Sequence, residues 1–330
     1  MKSVEEADVA GKRVIVRCDF DVPVKNGKIL DDTRIKDSLP TLKYLLSKGA
    51  KLFLISKLGR PKGKDPSLSL EIIVETLSNY LGKKIIFQKD LNERNNGEVI
   101  LLDNLRFWLE EEEGDGNFGK KLSSFGDLYV NECFATSHRN DASIAQLPKF
   151  LPAYAGIWLL KEIRELEIVL KSPARPLIAI IGGAKLKTKL PAIFNLAKIA
   201  DKVLVGGKLM FEVERRSLPE NVVVAHDDVE TKDIGDESIE LFSESISKAK
   251  MVVWNGPMGV FEDDSYMKGT KEIAKAVIDS DAYSVIGGGD TISALNKLDL
   301  ISKIKFVSTG GGAMLEFLAG KTLPGLKALE

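Results

Sequence analysis

Charged side chains follow the hydrophobic runs in the first half of the chain. The runs are RVIVRCDFDVP, LFLISKLGRP, VILLDNLRF and LYVNECFATSHR, and their charged or ionisable residues are Arg17, Asp19, Asp21, Lys57, Arg60, Arg106, His138 and Arg139. A guanidinium group forms bidentate pairs with phosphate or carboxylate, so repeated arginines suit a small polyanion. The first half therefore predicts a site for a small phosphorylated or carboxylic ligand.

Five hydrophobic runs in the second half end in glycine instead. They are LIAIIGG, KVLVGG, MVVWNG, YSVIGGG and KFVSTGGG, which end at Gly183, Gly207, Gly256, Gly289 and Gly312. Glycine at the carboxyl end of a buried strand lets a ligand approach backbone N–H groups and the N-terminus of the next helix. Repetition of this turn predicts a polyphosphate site in the second half.

Each set of residues requires parallel strands that bring its members to one edge of a sheet. The pattern predicts strands at 14–20, 51–57, 84–87, 99–102 and 128–131, which alternate with amphipathic helical segments that end at Gly49 and Gly82. Such alternation implies right-handed crossovers and a parallel sheet that binds ligands at the carboxyl ends of its strands. The second half repeats the pattern. We therefore expect an α/β protein with two doubly wound, Rossmann-like lobes.

A long amphipathic segment, AGIWLLKEIRELEIVLKSPARP, lies between the two halves. Its apolar residues keep helical spacing from Ile157 to Leu170, and two prolines in SPARP end the helix. We predict a first lobe at 1–155, an interlobe helix or hinge at 156–172, a second lobe at 173–318 and a tail at 319–330. A plain surface helix is the alternative for the linking segment, and a simple terminal helix is the alternative for the tail.

Composition narrows the class of protein. The 330 residues suffice for two cores, and 47 Lys and Arg against 48 Asp and Glu argue against bulk attraction to nucleic acid. Cys18 and Cys133 are far apart and match no disulfide or zinc pattern. The N-terminus lacks a stretch of signal length, and no run is long enough to span a membrane. We expect a soluble, reduced, cytoplasmic protein.

Four motifs favour structural rather than chemical interpretations. GDGNFG at 114–119 follows an acidic run instead of a strand, so it is predicted to be a flexible loop and not a dinucleotide fingerprint. The run Glu110–Glu113 is predicted to be a solvated face. GGK at 206–208 lacks the Ser or Thr of a P-loop, and His226 has no second histidine at metal spacing.

Ten motifs in order resemble those of the phosphoglycerate kinase family. They are DFDVP at 19–23, DDTRI at 31–35, LPTLKYLLSKGA at 39–50, SKLGRPKG at 56–63, LLDNLRF at 101–107, VNECFATSHR at 130–139, GGAKLKTK at 182–189, WNGPMGVFE at 254–262, GGGDT at 287–291 and STGGGAMLEFLAGKTLPG at 308–325. The resemblance spans nearly the whole chain. It implies reversible phosphoryl transfer between 1,3-bisphosphoglycerate with ADP and 3-phosphoglycerate with ATP, with Mg²⁺ on the nucleotide.

The resemblance also implies how the molecule works as a whole. The family closes about a hinge, which we place in the bridging helix, and its C-terminal segment returns toward the first lobe. The resemblance implies a monomer that acts on small molecules, with neither nucleic acid nor membrane as a partner. Backbone amides and two lysines would hold the donor on one side of a cleft, while guanidinium groups hold the acceptor on the other.

Residue roles follow from the matching positions on the acceptor side. Arg34 resembles the arginine that bonds the reacting carboxyl group, although a surface ion pair with Asp31 or Asp32 is its structural alternative. The positions that match phosphoglycerate contacts are Asp19, Asp21, Arg34, Lys57, Arg60, Arg106 and Arg139.

The resemblance likewise assigns roles on the nucleotide side. Lys185 resembles the lysine that follows the transferred phosphoryl group, and Gly310 and Gly311 would donate backbone N–H groups to it. Asp290 resembles the magnesium-contacting carboxylate, and Glu262 resembles the acceptor for the ribose hydroxyl. The remaining nucleotide contacts are Gly183, Lys189, Gly207, Gly288, Gly289 and Thr291.

This chain departs from the family pattern at several positions. The family usually has Asn at Asp21, His at Lys57, Gly at Ala135, His at Asp141 and Gly at Lys208. Asp21 places negative charge beside a polyanion, which bears on substrate affinity. A further helical unit and an extended loop on the nucleoside side are missing after Gly207, so we expect intact phosphate chemistry with weak discrimination between ATP and GTP. Two alternatives remain, a catalytically weakened nucleotide-binding regulator and a kinase for another small acid.

Overall fold

The computed structural model describes residues 1–214 and 217–330. The chain forms two compact units, the first of residues 1–161 with 323–330 and the second of residues 162–322. Within the described residues, no helix is both long and apolar enough to cross a bilayer.

The first unit is built on a six-stranded parallel sheet with the order β5-β6-β4-β1-β7-β8. A short antiparallel hairpin of β2 and β3 is inserted after the first strand. The strands are β1 (Arg13–Arg17), β2 (Val24–Lys25), β3 (Lys28–Ile29), β4 (Lys51–Ile55), β5 (Ile85–Gln88), β6 (Val99–Leu102), β7 (Leu128–Asn131) and β8 (Ala153–Ala155). Apart from the half-buried Arg13 at the start of β1, strands β1, β6 and β7 are buried along their whole length, because helices cover a parallel sheet on both faces.

The two helices that the sequence predicts for the first unit end just before the predicted glycines, Gly49 and Gly82. Gly82 ends the second helix in the left-handed conformation, with a φ of 62°. Residues 323–330 pack in this unit, where Gly325 N donates to Ser137 O at 2.8 Å. The helices before the linking segment are α1 (Thr33–Ser47), α2 (Val74–Leu81), α3 (Leu109–Glu113) and α4 (Gly116–Ser123).

The predicted linking helix is α5 (Ile157–Lys171). Its first turn is capped by two buried side chains of the first unit, Thr41 and Glu132. Thr41 Oγ1 accepts from Ile157 N at 2.8 Å, and Glu132 Oε1 accepts from Trp158 N at 3.0 Å. Burial raises the pKa of Glu132 to about 8. Gly156 precedes the helix because a side chain there would overlap the Glu132 carboxylate.

The second unit is also built on a six-stranded sheet, but its strands follow a different order along the chain. Its sheet is parallel with the order β11-β10-β9-β14-β15-β16. The strands are β9 (Leu177–Ile181), β10 (Lys202–Val205), β11 (Val222–Val224), β12 (Asp228–Val229), β13 (Asp233–Ile234), β14 (Met251–Asn255), β15 (Tyr283–Gly287) and β16 (Phe306–Ser308). The helices are α6 (Leu186–Ala197), α7 (Leu209–Glu212), α8 (Asp236–Ser247), α9 (Lys268–Asp279), α10 (Gly289–Lys297) and α11 (Gly312–Leu318), and α12 (Pro324–Lys327) lies in the C-terminal segment.

The fold confirms two parallel-sheet α/β lobes, and it corrects local predictions. Two three-residue strands, β8 and β11, were not predicted. The flexible loop predicted at 114–119 is wrong, because Gly114 ends α3 and Asp115 caps α4 by accepting from Phe118 N at 2.6 Å. His226 is exposed, as predicted, and its ring contacts Glu237. Cys18 and Cys133 are both free and buried.

Candidate active site

The residues predicted to bind the acceptor are brought to one edge of the first sheet by strand register. In that register Arg17 of β1 lies beside Ile55 of β4 and Asn131 of β7. The segments that follow these strands therefore leave the sheet at the same edge, its carboxyl edge. They carry Asp19, Asp21, Lys57, Arg60 and Arg139.

Arg34 extends from the first turn of α1 to this edge. Its Nη1 donates to both carboxylate oxygens of Asp19, at 3.0 and 2.8 Å, and the carboxylate raises the pKa of Arg34. The alternative surface pair is excluded, because Asp32 pairs with Lys36 and Asp31 accepts from Thr33 N. The Arg34 side chain remains 30% exposed.

Asp21 and Lys57 form an ion pair at the same edge. Asp21 Oδ1 also accepts from Gly59 N at 2.7 Å. Burial favours the neutral acid, yet the Lys57 ammonium and the Gly59 N–H outweigh it and lower the pKa of Asp21. Burial lowers the pKa of Lys57, and the Asp21 carboxylate opposes that effect. The negative charge of Asp21, which the sequence predicts beside a polyanionic ligand, is therefore compensated by Lys57.

Arg106 is almost completely buried, and its partner comes from the acidic run. Its Nη2 lies 3.0 Å from Glu112 Oε1 as an ion pair, and its Nη1 donates to Gly59 O at 3.3 Å. Burial lowers the pKa of Arg106. Glu111 is only 1% exposed and accepts from Ser143 N and Oγ, at 2.9 and 2.5 Å. The prediction of a solvated acidic face was therefore wrong for Glu111, whereas Glu112 is exposed although it pairs with Arg106.

The other cations at this edge differ in exposure. Arg60 is exposed and Arg139 is half-buried. Arg17 is fully buried, where its Nε donates to Ser143 Oγ at 2.9 Å and its Nη1 donates to Cys18 O at 2.6 Å. Arg17 is therefore part of the packed interior and not of the exposed edge, although it is the last residue of β1.

In the second unit the glycine turns lie close together because five strands end in register. Ile181 of β9 pairs with Val205 and Asn255, Asn255 pairs with Gly287, and Gly287 pairs with Ser308. A Cβ on Gly207 would lie 2.6 Å from Gly183 N, so only glycine permits these two turns to touch. The result is a concave surface of backbone groups.

Lys189 lies at the centre of these glycine turns. Its Nζ donates to Gly182 O and, at 3.4 Å, to Asn255 O, and a Cβ on Gly183 would lie 2.9 Å from it. The residue is 7% exposed. Burial lowers the pKa of Lys189 to about 8, with a smaller contribution from Lys185 and an opposing one from Asp290. This is an ammonium that lacks a full counter-ion, which is the state that a phosphate would stabilise.

Lys185 occupies the N-cap position of α6 and is exposed. The turn GGAK does open a helix, as the sequence predicts. The helix dipole and the ammonium therefore both favour negative charge at this point. Lys187 is exposed on the same helix.

The GGGDT motif forms the turn between β15 and α10. Gly288 has a φ of 100°, and α10 begins at Gly289. Asp290 is exposed in the first turn, whereas Thr291 is fully buried and its Oγ1 accepts from Gly256 N at 2.7 Å. Thr291 therefore links the glycine turn at Gly256 to the turn of the GGGDT motif through this hydrogen bond.

Two polar residues of this unit escaped the sequence prediction. Asn255 is 2% exposed and its Nδ2 has no protein partner among the described residues, although it lies against Gly288. Glu162 of α5 is fully buried, and its Oε1 accepts from Thr309 N and Oγ1 at 2.7 and 2.8 Å. The run WNG contained the signal for Asn255, but Glu162 lies 147 residues from Thr309 and no local pattern joins them.

The last predicted contacts lie in exposed or partly engaged positions. Glu262 is exposed, and its carbonyl accepts from Lys297 Nζ at 3.3 Å. Gly310 N donates to Ser308 Oγ at 3.1 Å, whereas Gly311 occupies the N-cap position of α11 with a φ of 51°. Gly311 is thus the freer of the two predicted N–H donors.

The residues at the glycine turns fit an Mg²⁺ ion that is carried by a nucleotide better than a metal site formed by protein side chains alone. Within residues 1–214 and 217–330, no three or more His, Cys, Asp or Glu side chains are grouped to hold an ion. Mg²⁺ is commonly held by one or two carboxylates together with substrate phosphates and water. The single exposed carboxylate of Asp290, beside the glycine turns, fits that chemistry.

Comparison with curated proteins gives full-length relatives. The phosphoglycerate kinases of Dictyoglomus turgidum and Aquifex aeolicus are each 41% identical to this chain and cover 99% and 100% of it, with 98% of each relative covered. The alignment with the first spans 386 positions, so at least 56 of them have no counterpart among the 330 residues of this chain. These relatives confirm a shortened chain.

The position of the missing stretch follows from the family profile. The profile described as "Phosphoglycerate kinase" matches residues 4–216 and, separately, residues 212–321. The two matches overlap at 212–216, from the last residue of α7 into the segment before β11, which agrees with the break that the sequence predicted after Gly207. Arg215 and Arg216 lie outside the described residues.

Solved structures give the same result. A phosphoglycerate kinase structure from Coxiella burnetii has a TM-score of 0.86, with 32% identity and 99% and 98% of the two chains covered. A phosphoglycerate kinase structure from Pyrococcus horikoshii OT3 has the same score and identity and covers 100% of this chain. On profile, sequence and structure together, the chain belongs to the phosphoglycerate kinase family.

Proposed function

We propose that the first unit binds 3-phosphoglycerate and the second unit binds the nucleotide in the phosphoglycerate kinase reaction. The activity itself follows from the family: phosphoryl transfer between 1,3-bisphosphoglycerate with ADP and 3-phosphoglycerate with ATP. The observation that carries the assignment is the contrast between the two sheet edges. The edge in the first unit presents arginine and lysine side chains that are paired with carboxylates. The edge in the second unit presents backbone groups around the buried ammonium of Lys189.

On the acceptor side, guanidinium groups hold the phosphate and the carboxylate. Arg106 and Arg139 supply bidentate donors, Arg60 supplies an exposed cation, and Arg34 bonds the reacting carboxyl group. Asp19 fixes the orientation of Arg34 through its two contacts. The ligand therefore meets cations that are already oriented, which lowers the entropic cost of binding.

On the nucleotide side, the glycine turns and Lys189 hold the phosphates. Lys185 and the N–H groups of the loop at Gly310 and Gly311 stabilise the charge on the transferred group. Glu162 positions that loop through Thr309. Glu262 accepts from the ribose, and Asp290 holds Mg²⁺, which supplies charge neutralisation at the phosphates when it is bound.

The chemistry needs little from the protein beyond position and charge. An oxygen of the 3-phosphoglycerate carboxylate attacks the γ-phosphorus of ATP, one P–O bond forms and the bond to ADP breaks. The attacking carboxylate is already ionised at neutral pH, so no base is needed. Arg34 and Lys185 balance the charge that moves between the two ligands.

Direct transfer requires the two ligands to meet. We therefore propose closure about α5, whose first turn is fixed to the first unit by Thr41 and Glu132 and whose Glu162 contacts the loop at Thr309 in the second unit. We further propose that the protein is cytoplasmic and acts as a monomer. Sedimentation at working concentrations measures the monomeric state directly.

A coupled assay with selective variants tests the assignment. Arg106→Ala should raise KM for 3-phosphoglycerate at least tenfold without changing KM for MgATP, because a bidentate contact is lost on one side only. The matched control is Arg13→Ala, whose arginine lies at the opposite end of β1 and contacts Asn96. If Arg106→Ala changed only KM for MgATP, the proposed division between the units would be wrong.

A further inference from the structure

Asp21 and Lys57 differ in how many hydrogen-bonding groups each has left for a ligand. Both oxygens of the Asp21 carboxylate are engaged, Oδ1 by Gly59 N and Oδ2 by the Lys57 ammonium. The ammonium has three donors, and the described residues offer it this one acceptor. The carboxylate is therefore committed to holding its neighbours, whereas the ammonium has donors to spare.

The two residues also share one electrostatic environment. Lys57 is 8% exposed and lies two residues after the end of β4, while Asp21 follows the neighbouring strand β1. The same edge carries Arg34 and Arg106, each with its own carboxylate, Asp19 or Glu112. At such a site, a change in the charge of one partner is felt both by the other partner and by any bound polyanion.

We propose that Asp21 and Lys57 act as one charge-compensated unit that sets the affinity for the acceptor. Lys57 contacts the carboxylate or phosphate oxygens of 3-phosphoglycerate. Asp21 is a positioning residue that orients the ammonium, anchors the loop at Gly59 and cancels one positive charge. The pair thus fixes a lysine contact in place while it limits the net attraction of the site for anions. This inference rests on the acceptor site proposed above.

The two partners should consequently have opposite effects on acceptor binding. Lys57→Met removes the contact and leaves the Asp21 carboxylate without its counter-ion beside a polyanion, so KM for 3-phosphoglycerate should rise at least tenfold. Asp21→Asn keeps an oxygen for the Gly59 N–H but removes the charge, so KM should fall about threefold at low ionic strength, with a steeper dependence on salt. The double variant should recover a large part of the Lys57→Met loss.

The experiment measures kcat and KM for each substrate in the two single variants and the double variant. KM for MgATP should stay close to wild type in Asp21→Asn. The matched control is the exposed pair of Lys12 and Asp8 in the same unit, 3.0 Å apart, replaced as Lys12→Met and Asp8→Asn. Neither control should change KM for 3-phosphoglycerate.

Three results would overturn the proposal: a higher KM in Asp21→Asn, a double variant as poor as Lys57→Met, or a Lys57→Met variant whose KM is unchanged. Arg34→Ala, assayed in parallel, separates this failure from failure of the acceptor site. If Arg34→Ala raises KM and Lys57→Met does not, only the role of the pair is wrong. If neither changes KM, the acceptor site itself is misplaced.

Discussion

Replacing Lys189 with methionine should stabilise the second unit while it weakens nucleotide binding. The ammonium is 7% exposed, and burial lowers its pKa from 10.5 to about 8. A depression of that size corresponds to about 3 kcal/mol of unfavourable free energy for the charged form in the folded state. Methionine is close to lysine in length and carries no charge, so it avoids this burial penalty.

The lost hydrogen bonds offset part of the gain. Lys189 donates to Gly182 O and Asn255 O, and each such contact contributes about 1 kcal/mol. A net stabilisation of about 1 kcal/mol remains, which corresponds to a rise of about 2–4 °C in the thermal midpoint of a unit of this size. Nucleotide affinity should fall at least tenfold, because the phosphates lose their central cation.

The pH dependence has a definite sign. The folded-state pKa lies below the unfolded one, so between about pH 8 and 10.5 the unfolded chain binds more protons than the folded chain. The burial penalty is complete below pH 8 and is lost as the pH rises through that window. The advantage of Lys189→Met should therefore shrink from pH 7 to pH 10.

Calorimetric unfolding without nucleotide at both pH values, with an ADP titration at pH 7, provides the measurement. Lys187→Met is the matched control, since Lys187 is exposed on the same helix. Lower stability of Lys189→Met at pH 7, an advantage that grows toward pH 10, or unchanged ADP affinity would each refute the reasoning.

Four further predictions follow from other parts of the structure. Lys185→Ala at saturating substrates should lower kcat about 10²–10³-fold, and activity within about threefold of wild type would contradict its role. Gly156→Ala should destabilise the protein by about 2 kcal/mol in denaturant unfolding because the new methyl group displaces the cap of α5, whereas Gly116→Ala, which meets no atom within 4 Å, should be neutral or stabilising by up to ~1 kcal/mol. Glu162→Ala should lower kcat about tenfold, or ~1.4 kcal/mol, since the loop at Thr309 loses its anchor, and an unchanged kcat would exclude a positioning role. Because the chain is shortened at 212–216, kcat/KM for GTP should lie within about tenfold of that for ATP, and a strict ATP preference in parallel kinetics would contradict this.

Local signals allowed much of the fold to be predicted from the sequence. A parallel strand buried on both faces is a continuous apolar run, and glycine marks its carboxyl end, so β9, β10, β14 and β15 were recognisable. The strands β8 and β11 were missed because each has three residues and no such ending.

Pairings between distant side chains could not be predicted in the same way. Lys57 and Asp21 are 36 residues apart, and the contacts of Ser143 with Glu111 span 32 residues. Composition made the acidic run look solvated, yet tertiary packing buries Glu111 and pairs Glu112 with Arg106. The sequence indicated which residues could bind ligands, but their charge balance required the fold.

The central claim is that each unit holds a different ligand. A crystal structure with 3-phosphoglycerate and Mg-ADP bound tests it most directly. We predict the phosphoglycerate between Arg34, Arg106 and Arg139, and the ADP phosphates against the glycine turns around Lys189. Phosphoglycerate bound at the glycine turns, or ADP bound at the arginines, would contradict the account.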